Sequence, residues 1–198
     1  STHCVRSTIH TIKFLRLNLK IFCFNMVSLI DISEINSLTS DQFVSIFGNV
    51  IELCPDGAAQ VVKQRPFGNV KEICDAFNKY LEDLSEEGKL VVLKLHPDLA
   101  GRLAARGELT KESAGEQRSA GLSDLTDQQR DTIQMTNQRY ENKFGFPFII
   151  CARENKVQSI IDGLQQRYSN TKEQEIMNGI NEVKKICKLR IMDIVKEN

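Results

Sequence analysis

The chain has 198 residues, with 26 acidic and 26 basic side chains and 41% hydrophobic residues. Zero formal net charge disfavours a polyanion such as nucleic acid as a general partner, and this apolar content suffices for the core of one domain. No apolar run reaches the roughly 18 residues that a membrane span needs. The six cysteines are scattered, with no CxxC pair, which indicates reduced core thiols inside cells and argues against structural zinc.

The first 25 residues differ from the rest of the chain. They contain four basic residues and no acidic one, so residues 26–198 carry the compensating net charge of −4. A basic, acid-free start resembles a targeting leader. The alternative, which we favour, is translated sequence upstream of a true start at Met26. In both interpretations residues 1–25 lie outside the core and the folded domain is 26–198.

From residue 38 onward the sequence predicts helices. Three capping boxes, in which a threonine hydroxyl accepts an amide while a glutamine reaches back, begin at Thr39, Thr126 and Thr171. The i, i+3, i+4 spacing of apolar residues predicts the helices themselves. The first three run from residue 40 to near Pro55, from Asn69 to residue 84, and from Ser85 to Leu95. Another helix ends at Gly145, a short one covers residues 157–164, and a long one covers about 24 residues near the end of the chain. With no hairpin or alternating strand, the expected fold is all-α: a compact multi-helix bundle in a single domain.

The segment KLHPDLAGR contains the one histidine after residue 10, His96. Pro97 disfavours helical geometry at the residue before it, so the helix should end at or before His96. The imidazole then lies at a helix C-terminus, where the dipole favours its protonated form and its pKa should be near neutrality, suited to proton transfer. The alternative is a histidine that only caps the last carbonyls, and the residue taken alone favours it.

The segment GELTKESAGEQRSAGL predicts a helix that begins after Thr110 and ends before Gly121. Four polar or small residues share one of its faces: Ser113, Glu116, Gln117 and Ala120. The helix has no large apolar residue on any face. Its inward face therefore lines a polar cavity suited to a small polar ligand, unless the helix is a loosely attached surface element.

Pro147 prevents a regular helix in FGFPFIICAR, residues 144–153, whose aromatic and isoleucine side chains require burial. A buried extended segment must satisfy its backbone polar groups, and a polar ligand lying against that backbone is one solution. Arg153 ends the run with a planar cation suited to a carboxylate or other oxyanion. The alternative is hydrophobic anchoring followed by a surface arginine.

In this order and spacing, LHPDLAGR, LTKESAGEQRSAGL and FGFPFIICAR resemble the OHCU decarboxylase family. The resemblance extends from about residue 28 to 195 and includes EVKKICKLR. The family decarboxylates 2-oxo-4-hydroxy-4-carboxy-5-ureidoimidazoline to (S)-allantoin, the last step from urate to allantoin. The resemblance implies an all-helical enzyme without cofactor or metal, commonly a homodimer, which acts on this small molecule.

The resemblance also implies the site residues. His96 matches the family's catalytic histidine, and Glu116 and Gln117 match the positions closest to the chemistry, so His96 and Glu116 are the expected catalytic pair. Residues 148–152 match a segment that binds substrate through backbone groups. The positions implied to bind substrate are Pro97, Ser113, Ala114, Gly115, Glu116, Gln117, Phe148, Ile149, Ile150, Cys151, Ala152 and Arg153.

The substrate suggests a mechanism. Its carboxylate-bearing carbon adjoins unsaturated ring atoms that can accept the electrons left by CO2, so no metal or pyridoxal group is obligatory. We expect His96, paired with Glu116, to exchange protons at the substrate hydroxyl and at the reprotonated carbon, on one face. Ser113 and Gln117 would hold ring or ureido atoms. Arg153 would bind either the departing carboxylate or another oxygen where charge grows, and the second choice favours the transition state.

Two other interpretations and the compartment complete the sequence analysis. A catalytically silent helical binding module could retain this pocket, although the intact polar set argues against it. A helical nucleic-acid binder lacks support, because the chain has no tryptophan and no basic stripe. Many animal relatives are peroxisomal and end in an SKL-like tripeptide. We therefore expect a peroxisomal protein, with cytoplasm as the alternative because the chain ends Lys196-Glu197-Asn198.

Overall fold

The computed structural model describes residues 29–197, and helices make up its regular structure. The α-helices are α1 (Ile32–Ser37), α2 (Ser40–Phe47), α3 (Pro55–Val61), α4 (Val70–Asp83), α5 (Glu86–Leu95), α6 (Arg102–Arg106), α7 (Lys111–Ser119), α8 (Asp127–Phe144), α9 (Val157–Arg167) and α10 (Lys172–Met192), with 3-10 turns at Val62–Gln64 and Ala152–Glu154. Strand pairing within the described residues is limited to an isolated parallel bridge between Ile30 and Val195. The all-α prediction is confirmed, and the predicted leader, residues 1–25, lies outside the described residues.

Local sequence signals start the helices where they were predicted. Thr39, Thr126 and Thr171 each form the expected capping box with the glutamine three residues later. Asn69 and Ser85 cap α4 and α5 through their side-chain oxygens. None of the helices in residues 29–197 is both long enough and apolar enough to cross a membrane.

The chain between α2 and α4 differs from the predicted single helix. Helix α2 ends at Phe47, well before Pro55, and Pro55 begins α3 instead, because proline suits the first turn of a helix. Val50 and Ile51 are buried in the turn between the two helices. Leu53, in the same turn, has a φ of 50°, in the left-handed region that leucine rarely adopts.

Helix α10 packs against both α4 and α5. Gly179 allows the close approach of α5, because a Cβ atom there would lie 2.7 Å from Cδ2 of Leu93. The apolar face of α10 is buried as predicted, through Ile176, Ile180, Val183, Ile186 and Ile191. This contact fixes the end of α5, where His96 lies, against the longest helix described.

Candidate active site

His96 lies at the C-terminus of α5, where Pro97 was expected to end the helix. It has extended backbone angles (φ −77°, ψ 139°), and the residue is only 6% exposed. Its Nδ1 lies 2.9 Å from the carbonyl oxygen of Val92. Since a carbonyl only accepts, we assign the proton to Nδ1, which donates this hydrogen bond. Nε2 is then an acceptor, and it is buried without a partner among the described residues.

Burial decides the protonation state of His96. Desolvation lowers the pKa of His96 to about 4 and outweighs the Val92 hydrogen bond and the Glu52 charge, both of which raise it. The expectation of a pKa near neutrality is therefore wrong, because it considered the helix dipole and not the depth of the ring. At neutral pH the imidazole is uncharged, and its Nε2 lone pair can act as a base.

The polar face of α7 points inward, as its composition predicted, with Ser113 and Gln117 buried. The Gln117 amide holds the loop that follows His96. Its Oε1 accepts from the Ala100 amide at 3.0 Å, and its Nε2 donates to the Asp98 carbonyl at 3.3 Å. Ala100 has a φ of 51°, again in the left-handed region. The side chain expected to hold substrate atoms is thus bonded to the loop in this structure.

Arg190, which sequence analysis missed, organises the remaining polar groups. It lies in the last turn of α10 and is 3% exposed. Its Nε and Nη2 hold the two Glu116 oxygens at 2.7 and 2.8 Å, and its Nη1 donates to Glu52 at 2.7 Å. Nη1 also donates to the Asn49 carbonyl at 2.8 Å, and Nη2 to the Ser113 hydroxyl at 3.2 Å. All five N–H groups of the guanidinium are therefore engaged.

Two carboxylates share this one guanidinium, Glu52 fully buried and Glu116 partly buried. Glu52 is 1% exposed, and besides Arg190 it accepts from the hydroxyls of Ser113 at 2.9 Å and Thr110 at 2.7 Å. Burial lowers the pKa of Arg190, but its hydrogen bonds and charge interactions with Glu116 and Glu52 raise it overall. Arg190 is thus a fixed cation, and with both carboxylates ionised the cluster has a net charge of −1.

The sequence predicted that Glu116 pairs with His96. In this structure Glu116 pairs with Arg190 instead. Nδ1 of His96 is bonded to Val92, and Nε2 has no partner within residues 29–197, so neither ring nitrogen is hydrogen-bonded to Glu116. The carboxylate holds Arg190 in a two-point contact, the arrangement in which arginine binds carboxylates most strongly. A proton exchange between His96 and Glu116 would require Glu116 to leave that contact.

The sequence held a signal for Arg190 and a weaker one for Glu52. Arg190 lies four residues after Ile186 and four before Ile194, on the apolar stripe of α10. A charge at such a position requires a buried partner. Glu52 interrupts the apolar run that begins at Val50. Their pairing joins positions 138 residues apart, which spacing along the chain cannot show.

Phe148, Ile149, Ile150 and Ala152 form an apolar wall of the site, and side chains from two helices hold the backbone of this segment. Arg167 of α9 donates to the Ile149 carbonyl at 2.8 Å, and Glu182 of α10 accepts from the Cys151 amide at 2.8 Å. These two backbone groups, expected to face a substrate, are therefore satisfied within the protein. Burial raises the pKa of the Cys151 thiol to about 11, so it is protonated at neutral pH.

Two cavities meet at the Glu116–Arg190 pair. The inner chamber has a volume of about 30 Å³ and the outer groove about 390 Å³. The inner chamber is lined by His96, Pro97, Leu99, Ser113, Glu116, Gln117, Phe148, Ile149, Ile150, Ala152, Ile186 and Arg190. Only Glu116 and Arg190 line both. We place the chemistry in the smaller cavity, because His96 lines it and is absent from the groove.

The remaining predicted site residues lie apart from the inner chamber. Arg153 and Gly115 line the outer groove, where Arg153 donates to both Asp193 carboxylate oxygens at 2.5 and 3.2 Å. Ala114 and Cys151 line neither cavity. Within residues 29–197, no group of three or more His, Cys, Asp or Glu side chains is arranged to hold a metal ion.

Comparison with known proteins identifies relatives of this chain. The family model described as OHCU decarboxylase matches residues 36–192. A 2-oxo-4-hydroxy-4-carboxy-5-ureidoimidazoline decarboxylase from Xenopus laevis is 44% identical over 83% of this chain and 94% of its own length. Proteins with the same name from Amia calva and Mus musculus are 43% and 38% identical, over 84% and 83% of this chain and 95% and 93% of their own lengths.

Solved structures show the same fold. A crystal structure of (S)-allantoin synthase superposes with a TM-score of 0.67 at 24% identity, over 83% of this chain and 54% of that one. A crystal structure of OHCU decarboxylase in the presence of (S)-allantoin gives a TM-score of 0.57 at 23% identity, over 69% of this chain and 87% of that one. The family match and the relatives that are 38–44% identical together establish that this chain belongs to the OHCU decarboxylase family.

Proposed function

We propose that this protein decarboxylates 2-oxo-4-hydroxy-4-carboxy-5-ureidoimidazoline to (S)-allantoin in urate degradation. The relatives' names state this substrate. The observation that carries the proposal is the neutral His96, whose Nε2 has no partner among the described residues and whose side chain lines a chamber where Arg190 is the one fixed cation among the lining residues. A base and a carboxylate-binding cation in one site are what this reaction requires.

Arg190 offers the substrate carboxylate a place that Glu116 occupies in this structure. The Nε and Nη2 edge of Arg190 already binds a carboxylate at two points. A substrate carboxylate has the same planar shape, so it can exchange with Glu116 there. The exchange would also join the inner chamber to the outer groove, since the Glu116–Arg190 pair separates them. A chamber of about 30 Å³ holds about one water molecule, so it must enlarge to bind substrate, and this exchange would enlarge it.

The reaction then proceeds by electron and proton transfers within the substrate and to His96. The bond between the ring carbon and its carboxylate breaks, and the electron pair passes into the adjacent unsaturated ring atoms, which releases neutral CO2. His96 Nε2 accepts the hydroxyl proton as that oxygen becomes a carbonyl. His96 returns that proton to one face of the neighbouring carbon that bears the ureido group, which fixes the S configuration. The ring nitrogen that received the electron pair takes one proton from solvent, and this is the net proton that the carboxylate anion needs to become neutral product and CO2.

Circular dichroism during enzymatic urate oxidation tests this function. Urate oxidase and hydroxyisourate hydrolase generate the unstable substrate, and addition of the protein should accelerate growth of the (S)-allantoin signal. His96→Ala should lower turnover by about 10²–10⁴-fold, the usual contribution of an acid–base group. Glu116→Gln tests the carboxylate, and Glu87→Gln, an exposed position on the helix that carries His96, is the control expected to match wild type.

Three outcomes would contradict the proposal or the role that it gives to a residue. A folded wild-type protein that binds the intermediate without consuming it would instead be the silent binding module. His96→Ala with more than a few per cent of wild-type turnover would exclude His96 as the main acid–base group, and Glu116→Gln with wild-type turnover would leave Glu116 only a structural role.

We further propose a homodimer and a peroxisomal location, with cytoplasm as the alternative. The family resemblance supports both proposals. Light scattering of the purified chain tests the first, through a mass twice that of one chain. Microscopy of the tagged full-length protein beside a peroxisomal marker tests the second, and a diffuse signal would favour the cytoplasm.

A further inference from the structure

Glu52 is a buried carboxylate that the reaction described above does not use. It lies in the turn between α2 and α3, and the next residue, Leu53, is 57% exposed with a left-handed φ of 50°. The Leu53 amide donates to the Asn49 side chain at 2.8 Å, and the Asn49 carbonyl accepts from Arg190. The turn thus directs Glu52 inward at the expense of an unfavourable backbone conformation.

The contacts of Glu52 exceed what charge balance requires. One of its oxygens accepts from the Thr110 hydroxyl, and the other accepts from Ser113 and from Nη1 of Arg190. Glu116 alone would neutralise Arg190, so Glu52 adds a buried anion to a cation that is already paired. Burying an extra charge is costly. A neutral side chain with the same hydrogen bonds would serve stability better, which points to a role in the reaction.

Decarboxylation supplies such a role. The substrate carboxylate leaves as neutral CO2, so a strong ion pair with it stabilises the bound substrate more than the transition state. Arg190 can orient the carboxylate through its Nε and Nη2 edge and yet slow its departure through full positive charge. A fixed anion on the opposite edge, at Nη1, weakens that attraction and leaves the geometry unchanged.

We propose that Glu52 is a positioning residue for the decarboxylation: it fixes Arg190 through Nη1 and offsets its charge, so that Arg190 orients the substrate carboxylate without holding it back. This inference rests on the proposed function, and it explains why a second carboxylate, Glu52, binds Arg190. It predicts that removal of the Glu52 charge makes a bound carboxylate more stable and less reactive.

Glu52→Gln tests the charge with little change of shape. The amide oxygen can keep the contacts to Ser113 and Arg190, while the amide nitrogen can donate to the Thr110 hydroxyl, which is able to accept. We expect kcat and KM to fall together, each by about 10-fold. This pattern is expected when a charge that destabilises the bound substrate is removed. A structural defect alone would not lower KM.

Equilibrium binding separates this effect from turnover. Hydantoin-5-acetate, a stable ring compound with a carboxylate, should bind Glu52→Gln about 10-fold more tightly than wild type. Uncharged allantoin should bind both proteins equally. Glu52→Asp keeps the charge on a shorter side chain, so it should bind hydantoin-5-acetate no more tightly than wild type. Glu87→Gln removes an exposed charge on α5 at a position that lines neither cavity, and it should behave as wild type in both assays.

Specific results would overturn the role of Glu52. A raised KM, an unchanged kcat, or no gain in affinity for hydantoin-5-acetate in Glu52→Gln would each do so, and so would an equal gain for allantoin. Failure of the proposed function is distinguishable, because wild type would then not accelerate decarboxylation. The two binding assays would still report whether Glu52 weakens carboxylate binding at Arg190.

Discussion

Replacement of Arg190 by methionine should remove a large part of the stability of this fold. The change leaves Glu52, which is 1% exposed, and Glu116, whose side chain is 12% exposed, without the cation that binds both. Breaking a buried ion pair from one side costs about 3–5 kcal/mol, because the remaining charge stays buried and unpaired. At about 2–4 °C per kcal/mol for a domain of this size, the midpoint of thermal unfolding should fall by roughly 6–20 °C.

Urea and thermal unfolding of matched variants measure this loss. Arg153→Met is the control, because Arg153 also holds a carboxylate at two points, but with side chains 33% and 58% exposed. Its loss should stay below about 1 kcal/mol, as for other surface pairs. Arg190→Lys should lie between the two, since an ammonium has three donors for five acceptors. A loss below about 1 kcal/mol for Arg190→Met would refute the view that this cluster is a buried, mutually dependent network.

The remaining predictions concern pH and helix packing. Because neutral His96 is the base and burial lowers its pKa to about 4, kcat/KM should be constant from pH 8 to 6 and fall only near pH 4; a midpoint near 6.5 would contradict this assignment. The unfolded chain binds that proton near 6.5, so wild-type stability should decline as pH falls from 6.5 towards 4, and His96→Gln should lack this contribution in urea titrations. Gly179→Ala should destabilise the protein despite better helix propensity, since the new Cβ would lie 2.7 Å from Leu93. Gly115→Ala, with nothing within 4 Å of its Cβ, should raise the unfolding free energy by about 0.5–1 kcal/mol, and equal signs for the two glycines would refute the packing argument.

Features set by neighbouring residues could be predicted from the sequence. The capping boxes at Thr39, Thr126 and Thr171 depend on four consecutive residues, and all three form. The end of α5 at His96 depends only on Pro97. The missed helices, α1, α3 and α6, have 5–7 residues, which is too short for apolar periodicity to register.

Features set by tertiary contacts could not be predicted in the same way. The polar face of α7 indicated a cavity, but only the folded chain shows that Gln117 bonds the loop and that Glu116 bonds Arg190. The depth of His96 likewise depends on packing and changed its expected pKa. Arg190 was within reach of sequence analysis, since its place on an apolar stripe was visible, whereas the partner at Glu52 was not.

The left-handed backbone at Leu53 and Ala100 has a consequence for engineering heat resistance. Leu53 directly follows Glu52, and Ala100 lies in the loop that follows His96. Each such backbone conformation costs about 1–3 kcal/mol. Substitutions that allow these two turns a favourable backbone conformation should therefore raise the stability of the fold. The same substitutions would also let the Glu52 carboxylate and the loop beside His96 move from their positions in the site. In this fold, tolerance of heat and alignment of the site compete at two identifiable residues of the main chain.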